Sequence, residues 1–132
     1  MDLERTRKET YEDGIEMRKA VLGAEHVERS LSAASEFSRP IQQLVTEYCW
    51  GAVWKRDGLE LKTRSLINLA MLTALNRPHE LSVHVRGAVT NGCTDEEIQE
   101  VLLQTAIYVG VPAALDAFRI AEKTLKETRA RD

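Results

Sequence analysis

Glu80 and His84 stand four residues apart in the string PHELSVHVR. On a helix that spacing puts a carboxylate and an imidazole on one face, where the acid can orient the ring and help it hold a proton. The pair is a candidate proton-transfer unit, although the same arrangement is a common solvated surface contact. Arg64 stands just before the apolar run of TRSLINLAMLTAL. From there a guanidinium can either grip a carboxylate through two parallel hydrogen bonds or pair with Glu60 or a neighbouring helix. Glu47, Trp50, Gly51 and Trp54 share one side of a helix at 100° per residue. That stripe suits core or subunit packing, or the wall of a ligand pocket. Arg39, directly before Pro40, is either a loop charge or a further cation for an anionic ligand.

Other chemistries lack their residues. Cys49 and Cys93 have 43 residues between them, which is neither a CxxC redox pair nor a zinc knuckle. His26, His79 and His84 form no HExxH string, so no bound metal is expected. Without a GxSxG, GxGxxG or P-loop string, serine hydrolysis and nucleotide-dependent chemistry fall away.

The elements that must position these residues follow from length and pattern. A chain of 132 residues is read as one domain, large enough to stand without disulfides or structural metal. A net charge of −3 with both signs interspersed gives no footprint for nucleic acid. No apolar run reaches the roughly 18 residues of a membrane span. The opening MDLERTRKETYEDG lacks the apolar core of a signal peptide, so a cytoplasmic protein with reduced thiols is expected.

Apolar residues recur at spacings of three and four and nowhere alternate for long, which predicts an all-α bundle of about six helices. The first, about Leu3 to Leu22, is weakly amphipathic and expected on the surface, stopping at Gly23. From Gly23 to Arg39 a long connection is expected, with at most a short helix around Val27 to Ala34; loops of this length often cover a site. Pro40 opens a helix to about Lys55, with Ile41, Leu44, Val45, Tyr48 and Ala52 as its core stripe. The second stripe, containing Glu47, Trp50 and Trp54, then needs its own cover, which predicts a homo-oligomer. Gly51 costs about 1 kcal/mol relative to Ala in a helix unless another group approaches the backbone closely. After Asp57-Gly58 a central helix is expected to be covered on nearly every side. Helices from Pro78 to Gly92, from the capping box at Thr94 to Gly110, and from Pro112 into the charged tail complete the bundle.

Beyond these patterns, whole strings are recognisable. VLGAEHV, EYCWG, TRSL, ELSVHVR and IYVGVPAA occur in an order and spacing that resembles the 4-carboxymuconolactone decarboxylases of aromatic catabolism, over about residues 11 to 124. The resemblance implies an AhpD-like all-helical fold assembled as trimers or hexamers. In the wider superfamily, the peroxidase branch uses a CxxC followed by a histidine. This chain keeps His84 but has Arg77 and Glu80 at the two cysteine positions, so that thiol chemistry lacks its atoms.

What the resemblance implies for function is a carboxy-lyase that converts 4-carboxymuconolactone to 3-oxoadipate enol-lactone in protocatechuate (β-ketoadipate) breakdown. The substrate is a small carboxylated lactone, and no cofactor is implied. Electrons released with CO₂ run through the unsaturated ring onto the lactone carbonyl, so the protein must hold an anion, stabilise the oxyanion and supply a proton to the α-carbon. Arg64 fits the first task, a buried donor the second, and His84 with Glu80 the third. His26, in the family-like GAEHV string, is a second donor or a cover over the ligand; Glu47, Trp50 and Arg39 complete the candidate substrate contacts. The departure at Arg77-Pro78-His79 stiffens the approach to Glu80 and fits a reshaped pocket. The competing readings are a homologue acting on another lactone or keto acid, and a non-catalytic helical ligand-binding or assembly protein.

Overall fold

The computed structural model describes residues 2–131. Among them there is no strand, and no helix is long and apolar enough to cross a membrane. The sequence was read as one domain; contacts gather into two compact units, one running to Leu59 and one from Glu60.

In the first unit, α1 (Arg7–Leu22) opens with a complete capping box: the Thr6 side chain accepts from the Glu9 amide, and Glu9 reaches back to the Thr6 amide. Gly23, at φ 92°, stops it in a conformation that a side chain would disfavour. No long connection follows. Instead α2 (Ala24–Ser32) begins at once and buries Val27 completely. After a short link, Pro40 lies in the first turn of α3 (Arg39–Leu44), which runs straight into a π-helix over Val45–Trp54. That ten-residue π-helix has no counterpart in the sequence reading.

The two stripes of this long element exchange roles relative to expectation. Ile41, Leu44 and Tyr48 are each about half exposed, whereas Thr46, Glu47, Trp50, Gly51 and Trp54 are buried. Two glycines explain why. A Cβ on Gly14 would lie 1.9 Å from the Thr46 carbonyl oxygen, and one on Gly51 would lie 2.1 Å from that of Thr10. Only backbones without side chains can cross this closely, so α1 lies against the Gly51 side. The helix expected at the surface is thus a main packing partner, and it buries Gly14, Arg18 and Val21.

The second unit contains α4 (Leu61–Ala74), α5 (Pro78–Thr90), α6 (Asp95–Tyr108) and α7 (Val111–Ala130). Leu69, Leu81, Val85, Ala88, Ile98, Leu102, Ala117 and Ala121 form its core. The capping box at Thr94 and Glu97 is present as expected, and Gly92, at φ 90°, stops α5. The expectation for α4 is corrected. Leu69 is fully buried, but Ile67, Met71 and Leu75, each four residues apart, are 42, 48 and 61% exposed. An apolar composition all round the helix was mistaken for cover all round it.

Candidate functional site

In the second unit, α4 and α5 pack together and bring side chains from both into contact. Asn68 and His84 are both half-buried, and the Asn68 amide nitrogen lies 3.3 Å from His84 Nδ1. Arg64 precedes Asn68 by one helical turn, so the guanidinium and the amide rise from the same face of α4. Arg64 is itself half-buried. Glu80 is exposed in the first turn of α5, one turn before His84. The hydrogen bond at Nδ1 therefore involves Asn68, a residue that the sequence reading treated only as an interruption of an apolar run. Nearby, the Asn91 amide donates to Ser65 Oγ at 2.9 Å, tying the end of α5 to the start of α4. The arrangement offers a ring with an amide partner at one nitrogen, a cation, and an exposed carboxylate.

The remaining candidates lie in the first unit. Glu47 is buried, and its carboxylate accepts from Arg7 Nε at 3.0 Å and Nη2 at 3.3 Å. This forked pairing occupies both carboxylate oxygens, so its visible role is to join α1 to the π-helix. Trp50 is buried and stacks on Trp54 with ring centroids 4.7 Å apart and planes at 28°. His26 is half-buried on α2, and Arg39 is exposed at the start of α3. A cleft of about 810 Å³ lies between α1 and the π-helix, lined in part by Arg7, Thr10, Asp13, Glu47, Tyr48 and Lys55. Its charges largely neutralise one another, because Asp13 pairs with Arg5 and Lys55 while Arg7 pairs with Glu47.

Sequence reasoning missed Arg18 altogether. It is buried, and its Nη1 donates to Gln42 Oε1 at 3.0 Å and Thr46 Oγ1 at 3.1 Å. Burial lowers its basicity, opposed by the nearby Cys49 and Tyr11 groups. No spacing rule flags such a residue, since a lone arginine in a charged helix reads as solvated. Partial burial raises the thiol of Cys49, an exposed residue, against the opposing pull of Arg18, and burial with Glu97 raises that of the buried Cys93 against Lys62. Among the described residues no group of three or more histidine, cysteine or carboxylate side chains is placed to hold a metal ion.

The described chain is thus an all-helical protein whose polar constellation, an imidazole with its amide and an arginine, stands on two packed helices. It belongs to the carboxymuconolactone decarboxylase family, whose model matches residues 39–123, and its helical fold is of the AhpD-like kind. It is 44% identical to the nitrosuccinic acid decarboxylase of Metarhizium robertsii, over 89% of this chain and 82% of that protein. It is 40% identical to the 4-carboxymuconolactone decarboxylase of Acinetobacter baylyi, over 91% of this chain and 90% of that one. An uncharacterised 15.0 kDa protein of Paracoccus denitrificans is 32% identical, with 91 and 90% of the two chains covered.

Proposed function

We propose that this protein is a carboxy-lyase acting on a small acid that carries its own electron sink, with 4-carboxymuconolactone as substrate and 3-oxoadipate enol-lactone as product. The observation that carries this reading is the likeness, over about nine tenths of the chain, to proteins named as decarboxylases. A second substrate, nitrosuccinic acid, is favoured by the 44% identity to the enzyme named for it. The two acids share a chemical logic. When the carbon–carbon bond to the departing carboxylate breaks, its electron pair passes into an unsaturated lactone carbonyl in one case and a nitro group in the other. Either acceptor does the work of a cofactor, and none is required.

The protein is left with three tasks. A cation must hold a carboxylate that stays, which fits Arg64. A donor must face the oxygen that gathers charge, and a proton must reach carbon once CO₂ has gone, which fit His84 and Glu80 on one face of α5. His26 and Arg39 remain candidate substrate contacts in this reading, whereas the Glu47 carboxylate is taken up by Arg7 and Trp50 is buried against Trp54. The protein works as a homo-oligomer, a trimer or hexamer.

The decisive experiment supplies each acid separately to purified protein in the presence of a strong chelator and measures CO₂ release. Release from the lactone, with the enol-lactone as product, is the expected result. Release from nitrosuccinic acid alone shifts the reading to the second substrate, and release from neither overturns the decarboxylase reading.

A further inference from the structure

We infer that Asn68 is a positioning residue that keeps the ring proton of His84 on Nε2, so that His84 serves the reaction as a neutral hydrogen-bond donor. The inference deepens the reading of the site as that of a decarboxylase and rests on it for its catalytic part. Its geometric part rests on the Asn68–His84 contact alone.

The carboxamide nitrogen of Asn68 carries two hydrogens and no acceptor lone pair, so it can only donate. It lies 3.3 Å from His84 Nδ1. A nitrogen that accepts this hydrogen bond carries no proton, and in neutral imidazole the proton then resides on Nε2. Asn68 is well placed to enforce this choice. It sits mid-helix on α4, next to the fully buried Leu69, and His84 lies between the buried Val83 and Val85 on α5. The two backbones are therefore fixed by core packing on either side of the pair.

The consequence concerns how charge is handled during decarboxylation. As the carbon–carbon bond breaks, the electron pair moves onto a carbonyl or nitro oxygen, and a fixed N–H aimed at that oxygen stabilises it more in the transition state than in the bound acid. A neutral imidazole suits this role, since it donates without adding a cation that would also hold the starting carboxylate. The proton that later reaches carbon then comes from another source, either Glu80 or solvent.

The test uses full-length protein labelled with ¹⁵N in its histidines, with His84 assigned by comparison with His84→Gln. Spectra are recorded on the alkaline side of the ring's titration. In the wild type, His84 is expected to show a protonated Nε2 and an unprotonated Nδ1. Asn68→Asp replaces the donor with an acceptor and should move the proton to Nδ1; Asn68→Leu should give a mixture of tautomers. A wild-type ring protonated on Nδ1, or a tautomer unmoved by either substitution, overturns the assignment. If CO₂ release is established for the wild type, Asn68→Asp at the same pH should lower kcat by about tenfold or more with KM changed less than about twofold. An unchanged kcat with a moved proton overturns the catalytic use of the tautomer. A wild type without decarboxylase activity overturns the functional reading, while the spectra still decide what Asn68 does to the ring.

Discussion

Arg64 is the residue whose substitution separates binding from structure most cleanly. Arg64→Leu should raise KM for a substrate bearing two carboxylates far more than it lowers kcat, and Arg64→Lys should recover only part of the loss, since an ammonium cannot reproduce a two-pronged grip. Steady-state kinetics on both variants check this; unchanged constants in the two would make Arg64 a structural ion-pair partner. The thiols make the opposite kind of prediction. Burial leads the causes that raise both Cys49 and Cys93, so the thiolate fraction at neutral pH is below that of a free cysteine. Alkylation by iodoacetamide should accordingly be slower than for a model thiol at pH 7, with its inflection displaced to the alkaline side, and Cys49→Ala with Cys93→Ser should keep full turnover. Fast labelling near neutrality, or an inactive folded double variant, would contradict it. At this scale the sequence revealed residues by type and spacing, which is how Glu80, His84 and Arg64 stood out. It hid Asn68 and Arg18, whose meaning lies in partners 16 to 28 positions away in the chain.

Helix boundaries were mostly legible because they depend on local chemistry. The Thr94 capping box, Pro40, Pro78 and Pro112 in first turns, and Gly23 and Gly92 as stops are each set by a few adjacent residues. Which face a helix buries was less legible, because hydropathy counts apolar side chains and the crossing of α1 with the π-helix uses their absence. Gly14 and Gly51 admit carbonyl oxygens where a methyl group would collide, and they carry Glu47 and Arg7 into register. The π-helix added a second obstacle, since its wider turn departs from the 100° per residue on which the stripes were drawn. Gly51→Ala is therefore expected to destabilise the protein by about 1–3 kcal/mol, the typical cost of overpacking a tight contact. Helix propensity acts in the other direction by only about 1 kcal/mol and does not compensate. Urea unfolding followed by circular dichroism measures the difference. A variant as stable as the wild type would mean that α1 can slide away at little cost, so that the close crossing is not what selects the buried face.

At the scale of the whole molecule, self-association rests on a different surface from the one the sequence points to. The stripe expected to need a second subunit, Glu47 with Trp50 and Trp54, is buried within the chain itself. Apolar surface is left elsewhere. Ile67 and Met71 on α4 and Leu75 at its C-cap follow one another at every fourth position, and Leu103 and Ile107 do so on α6, where Ile107 is 81% exposed. An unbroken helical stripe of this kind is the pattern left by a helix that packs on one side only, and single exposed leucines on ordinary surfaces do not repeat at helical spacing. A further copy of the same chain is the expected cover, and a closed ring lets one patch be buried in every subunit alike. Light scattering at micromolar concentration should therefore give a mass of three or six times the 14.9 kDa chain. Met71→Glu, which places a charge in the middle of the α4 stripe without touching the core of its own unit, should shift the population to smaller species. Its circular dichroism should be unchanged if only association is lost. A wild type that runs as a monomer would leave these stripes without a partner of their own kind and refute the assembly.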